Sequence, residues 1–254
     1  GYQEGIRVDS SGGGDVEIDA NDVDAHSGGG VAVYQTGGGA IDIAVTGTVT
    51  NDDEFSNGDG VYVSADDNST GLKVNANNIV ANDEGMELHY SGTGVVDIDS
   101  AGLIEAGAHG IYAIIGANAE GLDIDVNSIK SGDDGIYGGH GVGGTVNITV
   151  RDSIVSGDDA IELYLDNGDV GQVNVNVHNA KGADFGIYIV DRSDAVDPND
   201  PNAVNNDLNI TTTGKIEAGS GWGIWAQTDA GVLSNITVKS TSIIDSASGQ
   251  AIFN

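Results

Sequence analysis

The chain has 254 residues, of which 40 are acidic and 8 are basic, so its formal net charge at pH 7 is −32. Such a charge repels nucleic acids and anionic lipid headgroups, and we expect neither as a partner. The absence of cysteine excludes disulfides, zinc–thiolate sites and a cysteine nucleophile. No apolar run approaches the roughly 18 residues of a spanning helix, so we expect no direct membrane insertion by this segment.

The dominant pattern is an aliphatic residue that follows a glycine or an alanine and recurs mostly at spacings of 25 or 26 residues, with longer spacings of 30, 37 and 28. It opens a short β-like segment and occurs at Ile6, Val31, Val61, Met86, Ile111, Ile136, Ile161, Ile187, Ile224 and Ile252. In the unit that starts at Ile111, Leu122 and Ile124 alternate with aspartates, which is typical of a strand with one buried face. Ile129 then marks a third short segment.

The second and third segments recur with the first. The second is marked by Val16, Ile41, Leu72, Val96, Leu122, Val146, Val173, Leu208 and Ile236, and the third by Val23, Val49, Ile79, Ile104, Ile129, Ile154, Ala180, Ile216 and Ile244. One unit cannot bury its own apolar row and needs a copy above and below. The sequence therefore predicts an all-β parallel β-helix of nine to ten coils, each of about 25 residues with three short strands.

We predict a single solenoid segment over residues 1–254. Stacked repeats normally carry polar caps, and neither end of this sequence has one, which suggests a piece of a longer chain or a subunit that stacks on other copies. The eighth unit contains an insertion near residues 191–205 with both prolines, Pro198 and Pro201. Insertions in solenoids form loops on one face, often a binding face, although surface loops also tolerate length without function.

The units at 110–132 and 135–157 have the form Gly-Ile-Tyr-x…Gly-x-x-x-Ile…Ile-x-x-Gly. This pattern resembles the passenger-domain repeats of bacterial autotransporters and related β-helical surface adhesins. The resemblance covers nearly the whole chain. It implies a right-handed β-helix in a secreted, extracellular protein of a Gram-negative cell surface, and it carries over no active-site residues.

The turn before each opening residue is acidic in several units. Neighbouring coils lie about 5 Å apart, so the aspartates of three successive turns should form one cluster. That cluster is Asp133, Asp134, Asp158, Asp159 and Asp184. Carboxylates at such distances repel one another, and a shared hard cation such as Ca²⁺ would relieve the repulsion. The alternative is that these aspartates accept backbone N–H groups in their turns and face water.

A row of aromatic residues follows the inward opening residue and should therefore point outward from one face. The row consists of Tyr62, Tyr112, Tyr137, Tyr188 and Trp225, with Glu87 and Glu162 at the equivalent position of other units. Exposed stacked aromatics can bind sugar rings or protein partners. The alternative is a ladder that stacks on itself and stiffens the sheet.

An enzyme is the alternative from another class. Gly132-Asp133-Asp134 and Gly139-His140-Gly141 resemble the motifs of polygalacturonases, but His140 lies in the same coil as Asp134, where that family places it about one coil later. A calcium-dependent polysaccharide lyase would need a base beside the acidic cluster. The nearby candidates are Arg151, Lys181 and Arg192. Because fold analogy alone is weak support, we expect no enzymatic activity.

The sequence thus favours a structural and adhesive rod at a bacterial cell surface. The predicted partners are other copies or neighbouring repeats end to end, and a glycan or a host or cell-surface protein on the outward rows. No cofactor is required, apart from the Ca²⁺ considered above. The alternatives are a subunit of a self-assembling extracellular filament and the calcium-dependent lyase or hydrolase. The five histidines share no common position, so no histidine metal site is predicted.

Overall fold

The computed structural model describes residues 4–26, 28–52, 58–139, 141, 143–166, 170–192, 207–228, 235–241, 243–247 and 252–253. These residues form 22 β-strands and no helix. Within these ranges, accordingly, no helix is long and apolar enough to cross a membrane. Most of the inserted loop predicted near 191–205 lies outside the described residues, which end at Arg192 and resume at Asp207.

The strands are short and follow one another closely along the chain. The first eleven are β1 (Ile6–Ser10), β2 (Val16–Ala20), β3 (Val23–Ala25), β4 (Val31–Gln35), β5 (Gly39–Asn51), β6 (Val61–Ala65), β7 (Ser69–Ala81), β8 (Met86–Tyr90), β9 (Gly94–Ala106), β10 (Ile111–Ile115) and β11 (Ala119–Ser131). The others are β12 (Ile136–Gly139), β13 (Gly144–Val155), β14 (Ile161–Asp166), β15 (Val170–Gly182), β16 (Ile187–Arg192), β17 (Asp207–Thr212), β18 (Ile216–Ala218), β19 (Ile224–Thr228), β20 (Ile236–Ser240), β21 (Ile244–Ser246) and β22 (Ile252–Phe253).

The first sheet contains ten parallel strands, one from each coil. Their order is β1-β4-β6-β8-β10-β12-β14-β16-β19-β22. The opening residues pair directly with one another, as Ile111 does with Met86 on one side and with Ile136 on the other. The predicted register is therefore confirmed, and the chain is an all-β parallel solenoid with a period of about 26 residues. Coils are numbered below by their opening residues, with Ile6 opening the first.

The second sheet contains the other twelve strands and shows one difference from the prediction of three separate strands per coil. In six coils the second and third segments form one continuous strand, namely β5, β7, β9, β11, β13 or β15. In β11 the register shifts between Val126 and Ser128, where the second and third segments join. A bulge allows a strand to change direction while its pairing continues. Sequence spacing predicts the two segments but not their continuity.

The interior is a stack of aliphatic side chains that alternate with half-exposed residues along each strand, as in β6, β8 and β10. Glycine before the opening residue lets the chain turn tightly over the third segment. A methyl group on Gly60 would overlap Ile79 Cγ2 and lie 2.6 Å from Gly85 O. In the seventh coil the equivalent residues are Ala160 and Ala180, both buried. There the third segment carries alanine in place of isoleucine, which leaves room for the extra methyl group of Ala160 at the corner.

Candidate functional site

The corner before the first sheet aligns one residue from each coil. The residue that follows this corner residue donates its N–H to the carbonyl of the corner residue in the next coil. Gly60 donates to Glu84 O and Gly135 donates to Asp159 O, both at 2.9 Å. These bonds hold the side chains of successive corners beside one another. We call this set the corner row; it consists of Asp59, Glu84, His109, Asp134, Asp159, Phe185 and Trp222.

Two of the predicted aspartates act as backbone acceptors within the corner row. Asp134 Oδ1 accepts a hydrogen bond from Asp159 N at 2.9 Å, and Asp159 Oδ1 accepts one from Phe185 N at 2.8 Å. Asp134 and Asp159 are only 4% and 6% exposed. These bonds have the geometry of the turn-capping alternative, since each carboxylate satisfies an N–H of the coil above it.

The five predicted ligands are brought together as overlapping groups of three and not as one cluster. Asp158, Asp159 and Asp184 have ligand atoms within 4.8 Å of one another, and so do Asp134, Asp159 and Glu162. Asp133 instead groups with Asp134 and with a residue that the sequence did not assign, His109. A hard cation would find three carboxylates in either of the first two groups. A calcium ion at these residues stays a prediction.

His109 is the residue in the corner row that sequence analysis missed. Its Nδ1 lies 3.3 Å from Glu84 Oε1, and its Nε2 lies 3.5 Å from carboxylate oxygens of both Asp133 and Asp134. Burial by itself would lower the pKa of His109, but the hydrogen bonds with Asp134 and Glu84 and the nearby negative charge raise it to about 10. The imidazolium therefore links the acidic corners below and above it. Its position two residues before Ile111 matches that of the corner aspartates, which was the available signal.

Burial and mutual repulsion leave some of these acids protonated near neutral pH. Burial, more than the charges of Glu162 and Asp134, raises the pKa of Asp159 to about 8. Burial likewise raises the pKa of Glu162 to about 7, and the charge of Asp134 adds to the effect. Such groups hold protons that a bound cation would displace.

A second acidic group lies lower in the corner row. Ligand atoms of Asp59, Asp83 and Glu84 lie within 4.8 Å of one another. Asp59 is 3% exposed, and its Oδ1 has no hydrogen-bond partner. These three residues lie in the acidic turns before Val61 and Met86, and sequence analysis did not single them out as a cluster.

The predicted outward row on the first sheet is confirmed as a row. Tyr62 and Tyr112 both pair with Glu87, and Tyr112 also pairs with Tyr137. Further along, Glu162 lies between Tyr137 and Tyr188, and Tyr188 pairs with Trp225. All five aromatic side chains are partly exposed. Tyr112 and Tyr137 stack with ring centroids 5.1 Å apart and an interplanar angle of 8°.

A second outward row, two residues further along each strand, fills the gaps between these rings. His89 lies 6.1 Å from Tyr62 and 6.0 Å from Tyr112, measured between ring centroids. Tyr164 bridges Tyr137 and Tyr188 at 6.2 and 5.7 Å. The result is a continuous line of rings that we call the aromatic strip: Tyr34, Tyr62, His89, Tyr112, Tyr137, Tyr164, Tyr188 and Trp225. The alternation of strand side chains was the signal for these additional members.

Of the residues considered for an enzyme, Arg151 and Arg192 contact other groups, whereas Lys181 is exposed on β15, beside Val155. Arg151 Nη1 contacts Asp125 Oδ1 at 2.8 Å, and Arg151 Nη2 donates to Ser100 O at 2.8 Å, both on the second sheet. Arg192 lies over the Tyr164 ring, 5.5 Å from its centroid. His140 is outside the described residues.

Comparison with protein-family models, with curated proteins and with solved structures finds no match for this chain. The functional argument therefore depends on the fold, the corner row and the aromatic strip.

Proposed function

We propose that the chain is a structural and adhesive rod of a bacterial cell surface, and that the aromatic strip is its ligand-binding surface. The observation that carries this proposal is the continuity of the strip. Eight rings from successive coils of the first sheet contact one another in sequence while their side chains remain partly exposed. A stiffening ladder would account for ring stacking, but not for an aromatic surface left facing solvent on an otherwise acidic molecule.

The charge of the strip restricts its ligand. Glu87 and Glu162 lie between the tyrosines, and the whole chain has a net charge of −32. Anionic glycans such as uronates would be repelled, whereas neutral or amino sugars can stack on tyrosine faces and hydrogen-bond to the carboxylates. The proposed ligand is therefore a neutral or cationic glycan, and a protein partner would have to present a basic or apolar surface.

Binding to an array of neutral, amino-sugar and uronate glycans tests this function. The informative variant is Tyr112→Ser with Tyr137→Ser, which removes the stacked pair at the centre of the strip. The control is Val80→Ser with Val155→Ser, because these side chains are 43% and 46% exposed and lie on the second sheet. We expect the tyrosine variant to lose about tenfold or more in affinity while the control binds normally. Equal affinities for all three proteins, or no glycan binding at all, would contradict the proposal.

End-to-end association is a second candidate, favoured by the edges of the first sheet. Among the described strands, β1 pairs only with β4 on one side, and β22 only with β19 on the other. Unpaired strand edges offer backbone N–H and C=O groups to another strand. Size-exclusion chromatography over a hundredfold concentration range distinguishes a monomer from an end-to-end assembly. A monomer at every concentration would contradict self-assembly.

A further inference from the structure

Asp59 is held in place by its backbone. Its carbonyl oxygen accepts hydrogen bonds from Gly30 N and from Asn51 Nδ2, both at 2.8 Å. Asn51 also donates to Gly28 O and is itself buried. These bonds hold the backbone of Asp59 where the second and third coils meet, and the residue is only 3% exposed.

The Oδ1 atom of Asp59 is buried without a hydrogen-bond partner. The equivalent atoms of Asp134 and Asp159 each accept a backbone N–H from the coil above. A buried acceptor without a donor is destabilising, and more so if it carries charge. The same corner position thus contains aspartates that accept a backbone N–H in the upper coils and, in the third coil, an aspartate whose Oδ1 has no donor and whose carboxyl group hydrogen-bonds with another acid, Glu84.

The neighbours of Asp59 are other acids. Ligand atoms of Asp83 and Glu84 lie within 4.8 Å of each other and of an Asp59 oxygen. Both side chains are partly exposed, so water can reach the group from outside. On its far side Glu84 contacts His109 Nδ1 at 3.3 Å, which orients the Glu84 carboxylate. Three carboxylates, one buried and two open to solvent, provide the oxygen ligands and the room for water that Ca²⁺ requires.

We propose that Asp59, Asp83 and Glu84 bind a calcium ion, and that the free Oδ1 of Asp59 is one of its ligands. The site joins the corners of the third and fourth coils and is independent of ligand binding to the aromatic strip.

Calorimetry of the intact chain with calcium chloride tests the proposal. We expect binding with a Kd on the order of 10⁻⁴ to 10⁻³ M. Calcium at several times Kd should raise Tm by roughly 2–4 °C relative to a chelator. Magnesium, which demands a tighter octahedral site, should bind more weakly.

Two substitutions locate the site. Asp59→Asn should abolish both the heat and the Tm shift, whereas Asp42→Asn, an exposed aspartate on the second sheet, should retain both. If Asp59→Asn does not fold, Glu84→Gln provides the same comparison from the exposed side of the group. Absence of calcium binding by the unaltered chain, or equal Tm shifts in the Asp59→Asn and Glu84→Gln variants and the unaltered chain, would overturn the proposal and leave a shared proton between Asp59 and Glu84.

Discussion

The corners of the third and seventh coils have the same backbone register but differ both inside and outside. In the interior, Gly60 of the third coil lies against Ile79, whereas the equivalent residues of the seventh coil are Ala160 and Ala180. The interior space is filled either by one large side chain from the third segment or by two small ones. Because every coil must pack on its neighbours, the total volume at a corner is constrained more strongly than the identity of either residue.

Outside, the two corners differ in how an aspartate is satisfied. Asp159 Oδ1 accepts the N–H of Phe185, while Asp59 Oδ1 accepts none. A carboxylate that caps a turn is a structural element, whereas a buried carboxylate without a donor requires a proton or a cation. The comparison shows that a repeated acidic position does not have one role along the rod.

Substitution of the interior pair has the largest expected effect. Ile79→Ala in the third coil should destabilise the chain by about 2–5 kcal/mol because it leaves a cavity. Gly60→Ala should destabilise it by about 1–3 kcal/mol through overpacking. The double variant recreates the alanine pair of the seventh coil, so its loss should be smaller than the sum of the two single losses. Urea unfolding of the unaltered chain, the two single variants and the double variant measures the coupling energy between Gly60 and Ile79. Strictly additive losses of stability would show that the total side-chain volume at a corner is not what is constrained.

The difference between Asp59 and Asp159 is tested by substituting each with alanine and measuring stability in calcium-free buffer. Asp159→Ala removes the acceptor of Phe185 N and should cost about 1–3 kcal/mol. Asp59→Ala removes a buried oxygen that has no donor, which favours folding, and one hydrogen bond with Glu84, which opposes it, so we expect a net change of about 0.5 kcal/mol or less. The measurement is again urea unfolding. Losses of similar size at the two positions would mean that Asp59 has a structural donor after all.

Of the predicted effects, the change of folding stability with pH is the smallest. Folding raises the pKa values of Asp59 and Asp159 to about 8 and that of Glu162 to about 7. An acid whose pKa is raised by folding binds more protons in the folded state, so stability falls as pH rises from its ordinary pKa to its folded pKa. The pKa of His109, raised to about 10, acts in the same direction above its ordinary value of 6.5.

We therefore expect Tm in a chelator to fall between pH 5 and pH 8.5, and Asp59→Asn and Asp159→Asn each to flatten the curve. Added calcium should reduce the slope that Asp59 contributes and leave the slope from Asp159. A Tm that rises over this range would show that the acids are not protonated in the folded chain.

The sequence predicted the registers of the coils because packing dictates them residue by residue. Even Ala180 and Leu208, which depart from the common spacing or residue type, lie in their predicted rows. An inward position admits only a small set of side chains, so its pattern survives insertions between coils.

The parts that sequence analysis missed depend on contacts between rows. His109 joins the corner row although no other histidine occupies an equivalent position, and Tyr164 joins the aromatic strip from a neighbouring row. The unsatisfied Oδ1 of Asp59 could not be inferred from spacing, because Asp59 and Asp159 stand at the same place in their coils. Hydrogen-bond satisfaction is a property of atoms and requires coordinates.

Both the corner row and the aromatic strip depend on direct stacking of successive coils, and distances between spin labels test that stacking. The chain has no cysteine, so pairs of engineered cysteines label it uniquely. Asp24, Lys130, Lys181 and Asp245 are exposed and belong to one outward row of the third segments. From Asp24, the distances to the other three should be about 19, 29 and 38 Å, for four, six and eight coils at ~4.8 Å each. Distances that do not increase in proportion to the number of coils would contradict the account.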